Sequence, residues 1–171
     1  MNNSVTLKGT KEIVITAVFI AMTFVATMCI NIRLPIAANG GLIHLGNVPL
    51  FVGSIIFGRK VGMYAGALGM GLFDLLSGWT VWAPFTFIIC GAIGFAVGKI
   101  ADGDFTILKY VFTILAALLI KIVGYYIAEI IITGNFLTPI NSVWGNIIQI
   151  VVAGIVTLPI LTVIKKYIGR I

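Results

Sequence analysis

The chain has 171 residues, 60% of them hydrophobic and 9% charged, with a net charge of +6 and a mean hydropathy of +1.17. A soluble domain carries about 25% charged residues, so a soluble fold is excluded; at about 20 apolar residues per bilayer crossing, the length holds about six spans and no separate catalytic or nucleotide-binding domain. Nor does the positive balance point to nucleic acid, because the cations stand in short clusters between apolar runs, as membrane topology requires.

The first apolar run, 13–30, follows Lys8 and Lys11. It exceeds the apolar core of a secretory signal, about 7–15 residues, and bulky Met28 precedes Cys29 where a lipoprotein cleavage site needs a small residue. Span one is therefore expected as a retained helix over 12–31. Ala17 and Ala21 give it a small-xxx-small face that another helix can approach closely, inside the protein or outside it. A loop over 32–47 follows, with Arg33, Pro35, Asn39, Gly40, Gly41 and His44, in which the proline and the paired glycines rule out a continuing helix.

Span two, 48–57, opens with Pro49, which a first helical turn tolerates. Being short, it must be tilted, sunk in protein or extended by the preceding loop. Gly58, Arg59 and Lys60 mark a basic turn. Span three, 61–76, is rich in glycine, with a GxxxG from Gly62 to Gly66 that suits central packing. Trp79 and Trp82 lie in the next turn, 77–83, and indoles favour the headgroup level.

Span four, 83–99, carries a second GxxxG at Gly94 and Gly98. Asp102, Gly103 and Asp104 make a polar turn, and span five is expected over 106–132. Thr133 to Asn135 and Thr138 to Asn141 read as the next loop, before span six, 142–164, and the basic tail Lys165, Lys166 and Arg170. Cys29 and Cys90 sit in separate apolar runs with no partner at metal spacing, so both read as packing residues.

With a cytoplasmic N-terminus, Lys8, Lys11, Arg59, Lys60, Lys99, Lys109, Lys165, Lys166 and Arg170 all fall inside, and Arg33 alone falls outside. Both termini are thus predicted to be cytoplasmic, with loops 32–47, 77–83 and 133–142 facing outward.

Three ionisable residues stay within the apolar spans: Asp74, Lys121 and Glu129. Each costs about 2.5–3.5 kcal/mol at the bilayer centre on insertion scales, so each should be paired or used. Lys121, Tyr125 and Glu129 fall at i, i+4 and i+8 on one helical face about 12 Å long. Tyr125 is placed to bond either neighbour or a ligand.

Two readings stand: a structural ion pair of Lys121 with Asp74 or Glu129, or a polar ligand pocket. Ser142, Asn146 and Gln149 form a second polar row, whose amides offer donor and acceptor together to a small hydroxyl-bearing heteroaromatic ring. Trp79, Trp82, Tyr126 and Trp144 are available as aromatic walls. His44 and Asn47, from the loop before span two, join the candidate set, although a lone loop histidine equally serves local hydrogen bonding. No His or Cys spacing suggests a metal, no P-loop is present and no nucleophile stands beside a base. Neither an enzyme nor a cofactor is expected.

The stretch GLIHLGNVPLFVGSIIFGRKVGMYAGALGMGLFDLLSGWTVWAPFTFIICGAIG resembles the S components of energy-coupling factor (ECF) transporters, which import vitamins into bacteria. The resemblance narrows to the riboflavin-transporter-like branch, which includes pyridoxine and hydroxymethylpyrimidine types. It rests on the loop GGLIHLGNVP, the turn FGRKVG, the Gly-rich span ending in Asp74, and the WAP at Trp82 to Pro84.

It implies an all-α, six-transmembrane-helix S-component bundle in the bacterial cell membrane, capturing a small vitamin-like substrate from outside under a lid of outer loops. It also implies a coupling transmembrane subunit, met through Ala17 and Ala21, two cytoplasmic ATPase subunits held on other chains, and release of the cargo by toppling in the bilayer. A single ring, pyridoxine or hydroxymethylpyrimidine, suits the few polar groups better than riboflavin does. A stand-alone proton-coupled carrier or small channel using Asp74, Lys121 and Glu129 is the alternative from another class, although no inverted repeat relates the two halves.

Overall fold

The structure, a computed structural model, describes residues 9–33, 42–103 and 106–168. Lys8, Pro35, Asn39, Gly40, Gly41, Asp104 and Arg170 lie outside the described residues, as do the side chains of Arg33 and Lys165. Helices α1 (Thr10–Cys29), α5 (Ala83–Ile100), α6 (Ile107–Thr133) and α7 (Thr138–Ile168) are each long and apolar enough to cross a membrane. Two shorter helical segments lie between α1 and α5: α2 (Asn47–Phe57), and the composite of α3 (Arg59–Tyr64), a π-helical segment (Ala65–Met70) and α4 (Gly71–Leu76). The protein is an all-α membrane bundle, with one addition that the sequence did not announce. Within the expected outer loop, β1 (Asn31–Arg33) and β2 (Leu42–His44) pair antiparallel, Asn31 opposite His44.

The short second segment has a clear physical solution. At 1.5 Å per residue, the 11 residues of α2 reach about 16 Å, roughly half of a hydrocarbon core of about 30 Å. Every residue from Asn47 to Ile56 is buried, so α2 is sunk within the protein, where its ends need not meet lipid. At its end the chain reverses through Gly58, whose φ of +90° only glycine adopts without strain, and whose N–H bonds to Ser54 O at 3.0 Å.

The two GxxxG motifs turn out to be one joint. A Cβ on Gly94 would collide with the carbonyl of Gly62, one on Gly66 with the carbonyl of Cys90, and one on Gly98 with the Arg59 backbone at 2.5 Å. Spans three and four therefore touch backbone to backbone along their length, the close approach that small residues permit in lipid. Helix α5 becomes the centre of the bundle, packed against α2, α3, the π segment and α6, while α7 closes the ring on α6 and α2. By contrast α1 rests on the π segment and α2 and is the least buried of the long helices.

One expectation about the last helices needs adjustment. The residues Thr138 to Asn141, read as loop, are the first turn of α7, because Pro139 needs no backbone donor there. Helix α6 is bounded by local chemistry: Thr106 Oγ1 accepts from the Lys109 N–H at 3.2 Å, and Gly134, at φ +67°, ends it by bonding to Ile130 O at 2.8 Å.

Candidate functional site

Where α4 ends, a tight turn sets the aromatic wall. The Ser77 N–H bonds to Phe73 O and the Trp79 N–H to Asp74 O, both at 2.9 Å, with Gly78 at φ +84°, a glycine-closed helix end. Trp82 N–H then bonds to Trp79 O at 2.8 Å and leads into α5. This holds Trp79 and Trp82 beside Asp74 over one cavity.

The cavity is bounded by His44, Asp74, Trp79, Trp82, Thr86, Lys121, Tyr125, Glu129, Ser142, Asn146 and Gln149. Helix α6 contributes its whole polar row, Lys121, Tyr125 and Glu129, and α7 the row Ser142, Asn146 and Gln149. The centre of a water-sized sphere sweeps about 70 Å³ inside it. With roughly 10–15 Å³ of such space needed per water, the hollow suits a ligand of a few polar groups on one ring.

Proton accounting gives the network on one side a direction. Thr86 Oγ1 donates to Asp74 Oδ2 at 2.5 Å and lies 3.0 Å from Tyr125 Oη. A threonine hydroxyl has one hydrogen, so Tyr125 donates to Thr86. Cys90 Sγ lies 3.6 Å from the same phenol oxygen. The Tyr125 hydroxyl hydrogen is thus spent on Thr86, and its oxygen keeps the capacity to accept from a ligand. Its ring still serves: Lys121 Nζ sits 5.3 Å from the ring centroid, a cation–π contact, and the Trp82 ring is 6.4 Å away.

The structural ion pair, one of the two readings of Lys121, is not formed among the described residues. Among the described residues, Lys121 Nζ has no carboxylate within 4.0 Å, although the residue is 2% exposed. Glu129 Oε1 and Ser142 Oγ are buried without a hydrogen-bond partner in the protein. Leaving buried polar atoms unsatisfied costs about 1–3 kcal/mol each, more for charged groups. The cavity wall thus holds an amine with no carboxylate beside it and a carboxylate oxygen with no protein donor.

His44 is buried, and its Nδ1 accepts from the Gly46 N–H at 3.3 Å, so the neutral ring carries its hydrogen on Nε2. Burial, with the Lys121 charge as a second cause, pulls its pKa down to about 3. Asn47 stands one step behind the wall rather than on it: its Nδ2 donates to Gln149 Oε1 at 3.1 Å, fixing which end of that amide faces which way.

Two of the aromatic walls expected from sequence do not contribute. Trp144 is 69% exposed, since two residues along a helix is about 200° of rotation and Asn146 takes the inward face. Tyr126 instead ties the loop after α6, its hydroxyl donating to Phe136 O at 2.9 Å. Thr86 was missed in sequence; the signal was its place four residues after Trp82 and four before Cys90, on one face of α5.

Ala17 and Ala21 are both exposed on α1, on a face that no other part of the described chain covers.

Comparison with known proteins agrees with this architecture. Residues 8–166 match the family described as ECF-type riboflavin transporter, S component. The chain is 28% identical over 145 residues to the thiamine precursor transporter HmpT of Lactococcus lactis subsp. cremoris, covering 85% of this chain and 82% of that protein. It is also 28% identical over 140 residues to an uncharacterized protein of the gap 3′ region of Pyrococcus woesei, covering 82% of this chain and 93% of the other.

Proposed function

The chain belongs to the family of ECF-type riboflavin transporter S components, and from that premise we propose that its cavity captures a hydroxymethylpyrimidine-type thiamine precursor from outside the cell. The observation that carries this reading is the unpaired Lys121 and Glu129 at opposite ends of one α6 row. An amino-substituted pyrimidine presents an exocyclic N–H donor suited to the Glu129 carboxylate and a ring-nitrogen acceptor suited to the Lys121 amine. Its hydroxymethyl arm suits the amides of Asn146 and Gln149. Trp79, Trp82 and the Tyr125 ring supply the flat apolar faces that such a ring needs.

Size favours the same choice. The small hollow suits a single ring better than a three-ring flavin. Between the two single-ring vitamins considered, the name of the Lactococcus relative favours the pyrimidine over pyridoxine.

Energy for import is supplied by other chains: a coupling transmembrane subunit that meets α1 at Ala17 and Ala21, and two cytoplasmic ATPases. The cation asymmetry between the loops supports a cavity on the outer side and both termini in the cytoplasm. The test is titration of the purified protein with hydroxymethylpyrimidine, pyridoxine and riboflavin, read by calorimetry and by thermal shift. Tight binding of the pyrimidine is expected; stabilisation by riboflavin alone would overturn the reading.

A further inference from the structure

A second concavity lies on the opposite flank of α5 from the cavity. It is a lateral groove between the α3–π segment and α5, in which a water-sized sphere's centre sweeps about 430 Å³. Met63 and Ala67 line one wall, and Ile88, Ala92 and Phe95 the other. Ile88 is 72% exposed and Phe95 39%, so the groove opens sideways, where a membrane protein meets hydrocarbon.

Helical spacing extends both walls to a charged end. Arg59, Met63 and Ala67 recur every four residues, and Ile88, Ala92, Phe95 and Lys99 recur at i, i+4, i+7 and i+11, so each wall finishes in a cation on its own face. The two ends meet, because Gly98 lets α5 rest on the Arg59 backbone. The Arg59 guanidinium lies 5.6 Å from the Phe95 ring centroid, at the mouth of the groove. Among the described residues neither Arg59 nor Lys99 has a carboxylate partner, while neighbouring Lys60 is paired with Glu12 at 3.5 Å.

We propose that this groove is a binding site for an anionic phospholipid of the inner leaflet, an acyl chain lying along it and the headgroup phosphate held by Arg59 and Lys99. Charge complementarity selects the occupant. An apolar channel open to hydrocarbon accepts any acyl chain, but two cations without carboxylate partners, cytoplasmic in the orientation proposed above, select a negatively charged headgroup, and basic recesses between membrane helices on that side recognise such lipids. Arginine adds a planar fork that matches phosphate geometry.

The experiment is native mass spectrometry of the full chain, delipidated in detergent and exposed to equal amounts of phosphatidylglycerol and phosphatidylcholine. Phosphatidylglycerol is expected to be retained and phosphatidylcholine not. Arg59→Gln and Lys99→Gln should each weaken retention about fivefold, as expected for one basic residue near a charged membrane surface. Ala92→Trp, which fills the groove from an exposed position and keeps both cations, should abolish it.

The charge-preserving pair Arg59→Lys with Lys99→Arg should retain the lipid, and the thermal melt of each variant reports whether it has folded. Equal retention of both lipids, or undiminished phosphatidylglycerol on the folded Arg59→Gln/Lys99→Gln variant, overturns the proposal. So does a set of variants that all keep the lipid yet fail to join the coupling subunit, since the groove would then be a protein interface.

Discussion

Individual side chains carry the argument for the cavity, and they are separable by substitution. Glu129 Oε1 is buried without a partner, and a hydrogen bond to a charged group is worth about 1.5–3 kcal/mol. Glu129→Gln should therefore weaken ligand binding by about one to two orders of magnitude, measured by calorimetry. Tyr125→Phe removes a hydroxyl spent on Thr86 and keeps the ring under Lys121. It should lower stability by about 1 kcal/mol and change affinity little; a large loss of affinity would mean that the phenol touches the ligand.

His44 has an ordinary value of 6.5 that folding lowers to about 3, so the unfolded chain takes a proton that the folded chain refuses. Its contribution is fully present above about pH 6.5 and is lost as pH falls toward 3, at up to about 1.4 kcal/mol per unit. Melting curves from pH 7 to 5 should fall less steeply for His44→Gln than for the parent.

Among the elements, the joint between spans three and four has the least slack. Gly94 faces the Gly62 carbonyl with no room for a methyl group, so Gly94→Ala must push the two backbones apart. A loss of about 1–3 kcal/mol is expected for such overpacking, seen as a lowered melting temperature. Affinity should fall with it, because α5 carries Thr86 and follows the turn that holds Trp82. Gly134→Ala is the contrast: nothing lies within 4 Å of the added Cβ, and only the left-handed backbone resists, at about 1 kcal/mol. The π-helical segment belongs to the same joint, since it lets Gly66 face α5 while Gly69 faces Thr23 of α1.

For the whole molecule, the proposed capture site and the proposed coupling face lie apart. Ala17 and Ala21 lie on exposed α1, away from the cavity wall. Ala17→Trp should leave ligand affinity unchanged in the isolated protein yet abolish uptake in cells that hold the coupling subunit and ATPases. Proteoliposomes holding this chain alone should show no uptake under a proton gradient; uptake there would favour a stand-alone carrier.

What the amino-acid order determines by itself is whatever obeys a local rule. Apolar runs become membrane helices because lipid leaves the backbone no other way to satisfy its hydrogen bonds, and the rows 121–125–129 and 142–146–149 share a face because the helix repeats every 3.6 residues. Tertiary structure alone decided which rows meet. The joining of the two GxxxG motifs, the burial of an 11-residue α2, and the commitment of Tyr125 to Thr86 depend on residues 12 to 39 positions apart or on neighbours throughout the bundle. Lys121 could have paired with either carboxylate by sequence. That it pairs with neither follows from where α4 and α6 are held by their neighbours, and helical periodicity within one span carries no information about that distance.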